Sequence, residues 1–200
     1  MRKIHVVLLL TSIIAAYGPA ATALDFPQGF YGGLGFGVSE TDESACEIVN
    51  PNQFNCDDES FAWKLYAGYQ ILKWVGVEVG YYDLGNSSAF AGSTNLEAEV
   101  DGFTGAVTAT VPILERVGFL AKVGYFLWDG ELSGSLNGVP VSISDVDNDL
   151  FWGFGFRLPF TEKFGVGVEY ERFLDVGNDS VFSAGKTDID YYSVSFLYSF

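Results

Sequence analysis

Tyr192-Ser193-Val194-Ser195-Phe196-Leu197-Tyr198-Ser199-Phe200 closes the chain. Tyr192, Val194, Phe196, Tyr198 and Phe200 fall on every second position, with Ser193, Ser195, Leu197 and Ser199 between them. A β-strand turns successive side chains to opposite faces, so this alternation predicts a strand with one apolar face and one smaller, more polar face. The stretch 75–82 repeats the pattern: Val75, Val77, Val79 and Tyr81 oppose Gly76, Glu78, Gly80 and Tyr82. No window sustains a helical period.

Carried along the chain, the same test predicts eight strands, at about 29–39, 60–70, 75–84, 99–111, 117–128, 149–158, 164–174 and 188–200. Each is close to the roughly 9–11 residues that a tilted strand needs to cross a bilayer. Short connections at 71–74, 112–116 and 159–163 alternate with long ones at about 40–59, 85–98, 129–148 and 175–187. Tight turns on one side and long loops on the other are the rhythm of outer-membrane barrels, and it puts both ends of the mature chain in the periplasm. Lys73-Trp74-Val75-Gly76, Glu115-Arg116-Val117-Gly118 and Glu162-Lys163-Phe164-Gly165 each set a cation before an apolar-Gly strand start, a repeated piece of turn chemistry.

The charges decide which face looks outward. Lys64, Glu78, Lys122, Arg157 and Glu169 share the less apolar face with Gly68, Gly76, Gly80, Gly118, Gly124, Gly155 and Gly167. The other face carries Phe36, Trp63, Leu65, Val77, Val107, Phe119, Val123, Phe154, Phe156, Val166 and Val168. A soluble lipocalin-like periplasmic carrier would reverse this, with an apolar interior and a charged exterior. The expected fold is therefore all-β, an eight-stranded antiparallel up-and-down transmembrane β-barrel. Its interior is just wide enough for side chains to fill, and the five charges are expected to pair there, since a buried charge is tolerable only when paired and hydrogen-bonded. Asp101 and Arg172 break the rule on the outer face, near the loop ends of their strands, where a charge costs little. Phe30, Trp74, Trp128 and Phe200 sit at strand ends and suit the aromatic girdles of the two interfaces.

Residues 1–23 read as a cleaved export signal: Arg2 and Lys3 precede an apolar run at 4–16, and Ala21-Thr22-Ala23 offers a cleavage site before Leu24. Residues 24–200 then form one barrel domain. A formal net charge of -16 argues against nucleic acid, whose phosphates demand Lys and Arg. Cys46 and Cys56 lie together in an exported polar segment, so a disulfide between them is expected. Closing a loop of about ten residues would stabilise it by roughly 2–3 kcal/mol. The only histidine, His5, lies in the signal. That removes histidine-dependent hydrolase chemistry and leaves a two-cysteine metal site without a completing ligand. No enzyme, cofactor or metal site is expected. Asp145-x-Asp147-x-Asp149 matches half a calcium loop without its Gly or closing Glu, and reads by default as a solvated loop. Glu40, Asp42, Glu43, Glu47, Asp57, Asp58 and Glu59 surround the cysteines as an adhesive surface or a hydrophilic cap.

Gly29-Phe30-Tyr31-Gly32-Gly33-Leu34-Gly35, the hairpin Ala67-Gly68-Tyr69-Gln70 with Val77-Glu78-Val79-Gly80-Tyr81, then Gly165-Val166-Gly167-Val168-Glu169-Tyr170 and the closing Tyr198-Ser199-Phe200 resemble the transmembrane domain of the outer membrane protein A family. The resemblance implies insertion by the barrel-assembly machinery after passage with periplasmic chaperones, with Phe196, Tyr198 and Phe200 belonging to the recognition signal. It implies interior charge pairs falling on Glu78, Lys122 and Glu169. Gly167 and Thr108 stand where a base is common and Arg157 where an acid is common, so the pairing scheme must differ. Larger members continue into a peptidoglycan-binding domain; with Phe200 as the last residue, the expectation is a short barrel-only relative. Its surroundings would be outer-membrane lipid and lipopolysaccharide, and an extracellular ligand would meet the loops. Two roles follow: a structural and surface-interaction barrel, or a narrow pore for ions or small hydrophobic solutes.

Overall fold

The computed structural model describes residues 28–41, 55–57, 59–91, 94–114, 116–136, 139–177 and 186–200. Residues 1–23, expected as an export signal, Cys46 and most of the first acidic segment lie outside these residues. The elements are β1 (Gly29–Thr41), β2 (Asn55–Asp57), β3 (Glu59–Gln70), β4 (Val75–Ala91), β5 (Thr94–Leu114), β6 (Val117–Leu136), β7 (Val139–Pro159), β8 (Phe164–Val176) and β9 (Thr187–Ser199). All pairings are antiparallel, and the long strands follow one another around a ring that closes where β9 pairs with β1. Eight strands thus make a cylinder, and the three-residue β2 lies along the upper part of β4. Among the described residues closure leaves no open strand edge at membrane depth, the condition for a sheet to sit in hydrocarbon.

Register fixes the two faces. Phe36, Leu65, Val77, Val107, Val123, Phe154 and Phe156 point outward and are exposed, while the intervening residues are buried or, at Gly37 and Gly124, half-buried. Large apolar side chains such as Val79 and Phe103, each 64% exposed, would be unfavourable in water and suit acyl chains. Above this apolar band, aromatic donors hold carboxylates on the outer face: Trp63 Nε1 donates to Asp83 (3.0 Å), Tyr81 to Asp101 (2.8 Å) and Tyr170 to Asp190 (2.8 Å). Arg172 pairs with Asp188 at 2.9 Å. Ionised groups therefore begin where the hydrocarbon ends.

Two of the expected long loops are not loops. The segments about 85–98 and 129–148 continue as ladder, with β4 running to Ala91, β5 starting at Thr94, β6 running to Leu136 and β7 starting at Val139. At 17 to 21 residues, β4 to β7 are far longer than the 12 to 13 of β1, β3, β8 and β9. The wall therefore rises on one half of the circumference into a twisted sheet. Strand pairing in water requires backbone hydrogen bonds but no apolar face, so Asp, Glu, Ser and Gly carry most of it, while Val139, Val141 and Ile143 at the start of β7 keep the hydrophobic alternation that marks the rest. Where β4 parts from β3, the register shifts between Asp83 and Asn86. Gly85 sits there at φ 76°, a left-handed conformation that favours glycine at a bulge.

The Asp145-x-Asp147-x-Asp149 segment likewise lies in β7 and not in a loop. Trp128 is corrected too: it is 1% exposed inside the cylinder, where its Nε1 donates to Asp149 at 2.8 Å, because it shares the inward parity of Lys122 and Phe126. Phe30, Trp74 and Phe200 do lie on the outside, at the end of the short turns.

Candidate functional site

Inward-facing residues fill the cylinder in two layers. The lower layer, toward the short turns, is ionic. Lys64, Lys122 and Arg157 meet Glu78, Glu169 and Glu171, all six buried. Lys122 from β6 is the hub, with its Nζ at 2.9 Å from Glu78, 2.7 Å from Glu169 and 3.1 Å from Glu171. Lys64 from β3 pairs with Glu169 at 2.9 Å and with Glu171. Arg157 from β7 donates to Glu78 at 3.0 Å, and Tyr31 donates to the same oxygen at 3.1 Å. Three bases balance three acids, so the cluster is neutral and every carboxylate has a cation.

Glycine makes the room. A Cβ on Gly68 would lie 2.3 Å from the Tyr31 ring, and one on Gly33 would lie 2.4 Å from that of Tyr66. Gly68 and Gly33 are the cross-strand partners of Tyr31 and Tyr66, so each ring lies over the neighbouring strand at a position that has no side chain. Small neighbours also leave Lys64 and Lys122 space to reach across the cylinder.

The upper layer is aromatic. Tyr82, Phe126, Trp128, Phe151, Phe173 and Tyr191 are at most 1% exposed and pack with Leu84, Val176 and Ile189. Tyr82 is the keystone: its ring meets those of Phe126, Phe151, Phe173 and Tyr191 at 5.5–6.5 Å between centroids. Its hydroxyl donates to Glu171 at 2.6 Å, which ties the aromatic layer to the ionic one. Phe151 and Phe173 stack at 5.2 Å with 15° between their planes.

The interior thus places Lys64, Glu78, Lys122, Arg157 and Glu169 in one network. Glu171 completes it and is absent from the sequence reading. The signal for it was present, since Glu171 stands two positions beyond Glu169 on the same strand. Of the three residues assigned to the assembly signal, Phe196 and Phe200 are exposed on the outer surface at 63% and 80%, and Tyr198 is half-buried beside Phe164. Cys56 lies in β2 opposite Ala89, but the cysteine pairing itself falls outside the described residues.

Residues 6–200 match the family model for the outer membrane protein beta-barrel domain. The chain belongs to that family. It is an outer-membrane β-barrel of the kind that the outer membrane protein A resemblance implied. Neisserial surface protein A superposes with a TM-score of 0.58 at 15% identity, over 86% of this chain and 97% of that one. OprG of Pseudomonas aeruginosa gives 0.54 at 12% identity, over 90% and 99%. Ail, the attachment invasion locus protein of Yersinia pestis, gives 0.51 at 15% identity, over 87% and 100%. Ail has also been solved with the heparin analogue sucrose octasulfate. At these identities the outer-membrane barrel shares its fold with them and no more. No curated protein sequence matches the chain.

Proposed function

We propose that this barrel is a non-conducting, non-enzymatic outer-membrane protein with a structural and surface-interaction role, displaying the β4–β7 sheet outside the cell. The observation that carries the reading is the double filling of the bore. An ion crossing it would have to break the Lys122 hub and also displace the Tyr82 aromatic layer. Eight strands leave no lumen around either. The orientation follows from the short turns and both described chain ends lying at one end of the cylinder, the periplasmic end in such proteins.

The exposed sheet sets the charge of whatever it meets. Glu99 opposes Glu131, Asp101 opposes both Asp83 and Asp129, and Asp145 and Asp147 line the β7 side. Among the described residues at that end, the cations Arg172 and Lys186 both lie against aspartates. A polyanion of the kind bound by Ail would be repelled here, and a partner with a cationic surface is favoured.

Planar-bilayer recording of refolded protein tests the main reading. The expected result is no unitary conductance, and reproducible steps would replace it with the narrow-pore role. Passage over immobilised heparin at low salt should show no retention, in keeping with the acidic sheet.

A further inference from the structure

Above the rim of the cylinder, β7 rises past its neighbour. β8 pairs with it no higher than Phe151, opposite Phe173, while β7 stays paired with β6 up to Val139. Among the described residues, positions 139–150 therefore have a strand on one side only. A bare edge of that length is a template for pairing with another strand. The register lower in β7 shows which amides look to the bare side. A Cβ on Gly155 would lie 2.9 Å from the Glu169 Cα, and one on Gly153 3.3 Å from that of Glu171. Pairs this close are the non-hydrogen-bonded ones, so the even positions of β7 are those that bond β8. The register of β7 on β6 runs to Val139 without a shift, so Pro140, Ser142, Ser144, Val146 and Asn148 turn their backbone to the bare side.

That edge is already occupied by its own side chains. Pro140 has no N–H to offer. At the middle, Val146 N donates to Asp145 Oδ1 at 3.0 Å and Asn148 N to Asp147 Oδ1 at 2.8 Å. The other oxygen of Asp145 is buried without a hydrogen bond among the described residues, so this cap is kept at a cost to the sheet. Asp149 is engaged elsewhere, accepting from Trp128 and lying 3.8 Å from Lys186. The alternating aspartates that look like half a calcium loop in the sequence are thus two caps on an open strand. The same edge of a second copy is the strand they exclude most directly. Two edges related by a two-fold axis run antiparallel, and centring the pair on Val146 sets Asp145 of one copy against Asp147 of the other. Like charges directly opposite are destabilising, and neither amide can pair until its carboxylate leaves. Antiparallel edges also point the two barrels in opposite directions, as from facing membranes. We propose that Asp145 and Asp147 lock the β7 edge against pairing with the same edge of a second copy on an opposed membrane. The facing of membranes rests on the outward orientation proposed above; the lock itself does not.

Sedimentation velocity of the detergent-refolded barrel tests the lock. The unaltered protein should sediment as a monomer, and the double variant Asp145→Ser/Asp147→Ser should form concentration-dependent pairs with its β-type circular dichroism retained. Asp145→Asn/Asp147→Asn removes the charge but keeps an oxygen that can cap, and should associate several-fold more weakly than the serine variant. Adding Ser144→Pro to the serine variant takes an N–H from the bare edge and leaves the ladder with β6, which uses the odd positions, intact. That triple variant should return to monomer. A serine variant that stays monomeric, or pairing that survives Ser144→Pro, overturns the proposal. Asparagine and serine variants that pair equally overturn the capping role. Proteoliposomes with the extension outward then test the facing arrangement: the serine variant should cluster vesicles and the unaltered protein should not. Pairing in detergent without clustering would overturn the facing arrangement or the outward orientation while leaving the lock standing.

Discussion

Lys122 touches all three carboxylates of the ionic layer, so its removal strands more charge than any other single change there. Breaking a buried ion pair from one side typically costs about 3–5 kcal/mol, because the partner charge stays buried. Lys122→Met should therefore lower the free energy of unfolding in lipid by about that much, as read from reversible urea titration followed by tryptophan fluorescence. Tyr82→Phe keeps the ring contacts and removes one hydrogen bond to a charged group, and should cost less. Equal losses for the two variants would contradict the hub. Much of this network was legible from parity alone, since Lys64, Glu78, Lys122, Arg157 and Glu169 share one face of their strands. Glu171 obeys the same parity two positions beyond Glu169. Trp128 ends the strand that the alternation predicts, which places it at the interface, but β6 continues to Leu136 and carries its side chain inside. What parity cannot supply is the pairing: Lys64 and Glu169 are on β3 and β8, far apart in sequence, and meet only because the cylinder closes.

At the scale of the strand, the wall and its extension obey different solvents. A charge on the lipid face near the midplane costs about 2–4 kcal/mol, so Val107→Arg should destabilise the barrel by that amount. Val146, 70% exposed on the β7 extension, should accept the same change with almost no loss. The pair of variants in one unfolding assay marks where the bilayer stops. On the extension, burial together with Asp83, Asp101, Glu131 and Glu97 raises the Glu99 carboxyl above its ordinary value. An acid whose folded pKa is raised binds its proton more tightly when folded, so stability is lost as pH rises through that pKa and regained on acidification. Hydrogen exchange of β5 and β6 amides above the bilayer, corrected for intrinsic rates, should slow as pH falls from neutral toward the carboxylate range; unchanged protection would remove the cross-strand repulsion. The extension was illegible in the sequence for a physical reason. Segments 85–98 and 129–138 lack the apolar alternation that betrays a strand, because neither face of a sheet in water needs to be apolar; Val139, Val141 and Ile143 do alternate, and that short stretch carries a strand signal inside the expected loop.

For the whole molecule, closure of the ring was the most readable feature, since eight alternating segments with short and long connections admit few other arrangements. The apolar band supplied the solvent and the inward charges supplied the sense of the faces. The ends of the chain remain proposals. Residues 1–23 are proposed as the export signal, and N-terminal sequencing of protein extracted from outer membranes should begin at Leu24. The Cys46–Cys56 disulfide is proposed on the same footing, and mass analysis of an unreduced digest should find the two peptides joined.

The lopsided height of the wall also bears on how the protein reaches its final state. With the sheet outward, the β4–β5 and β6–β7 hairpin tips are the parts that must be pushed through hydrocarbon during insertion, and they bring Glu99, Asp129, Glu131, Asp145 and Asp147 with them. Ionised carboxylates resist that passage, whereas their protonated forms resist it far less. Threading of these two tall hairpins, rather than closure between β1 and β9, is then the slow event in spontaneous insertion, faster into thin bilayers and in mild acid.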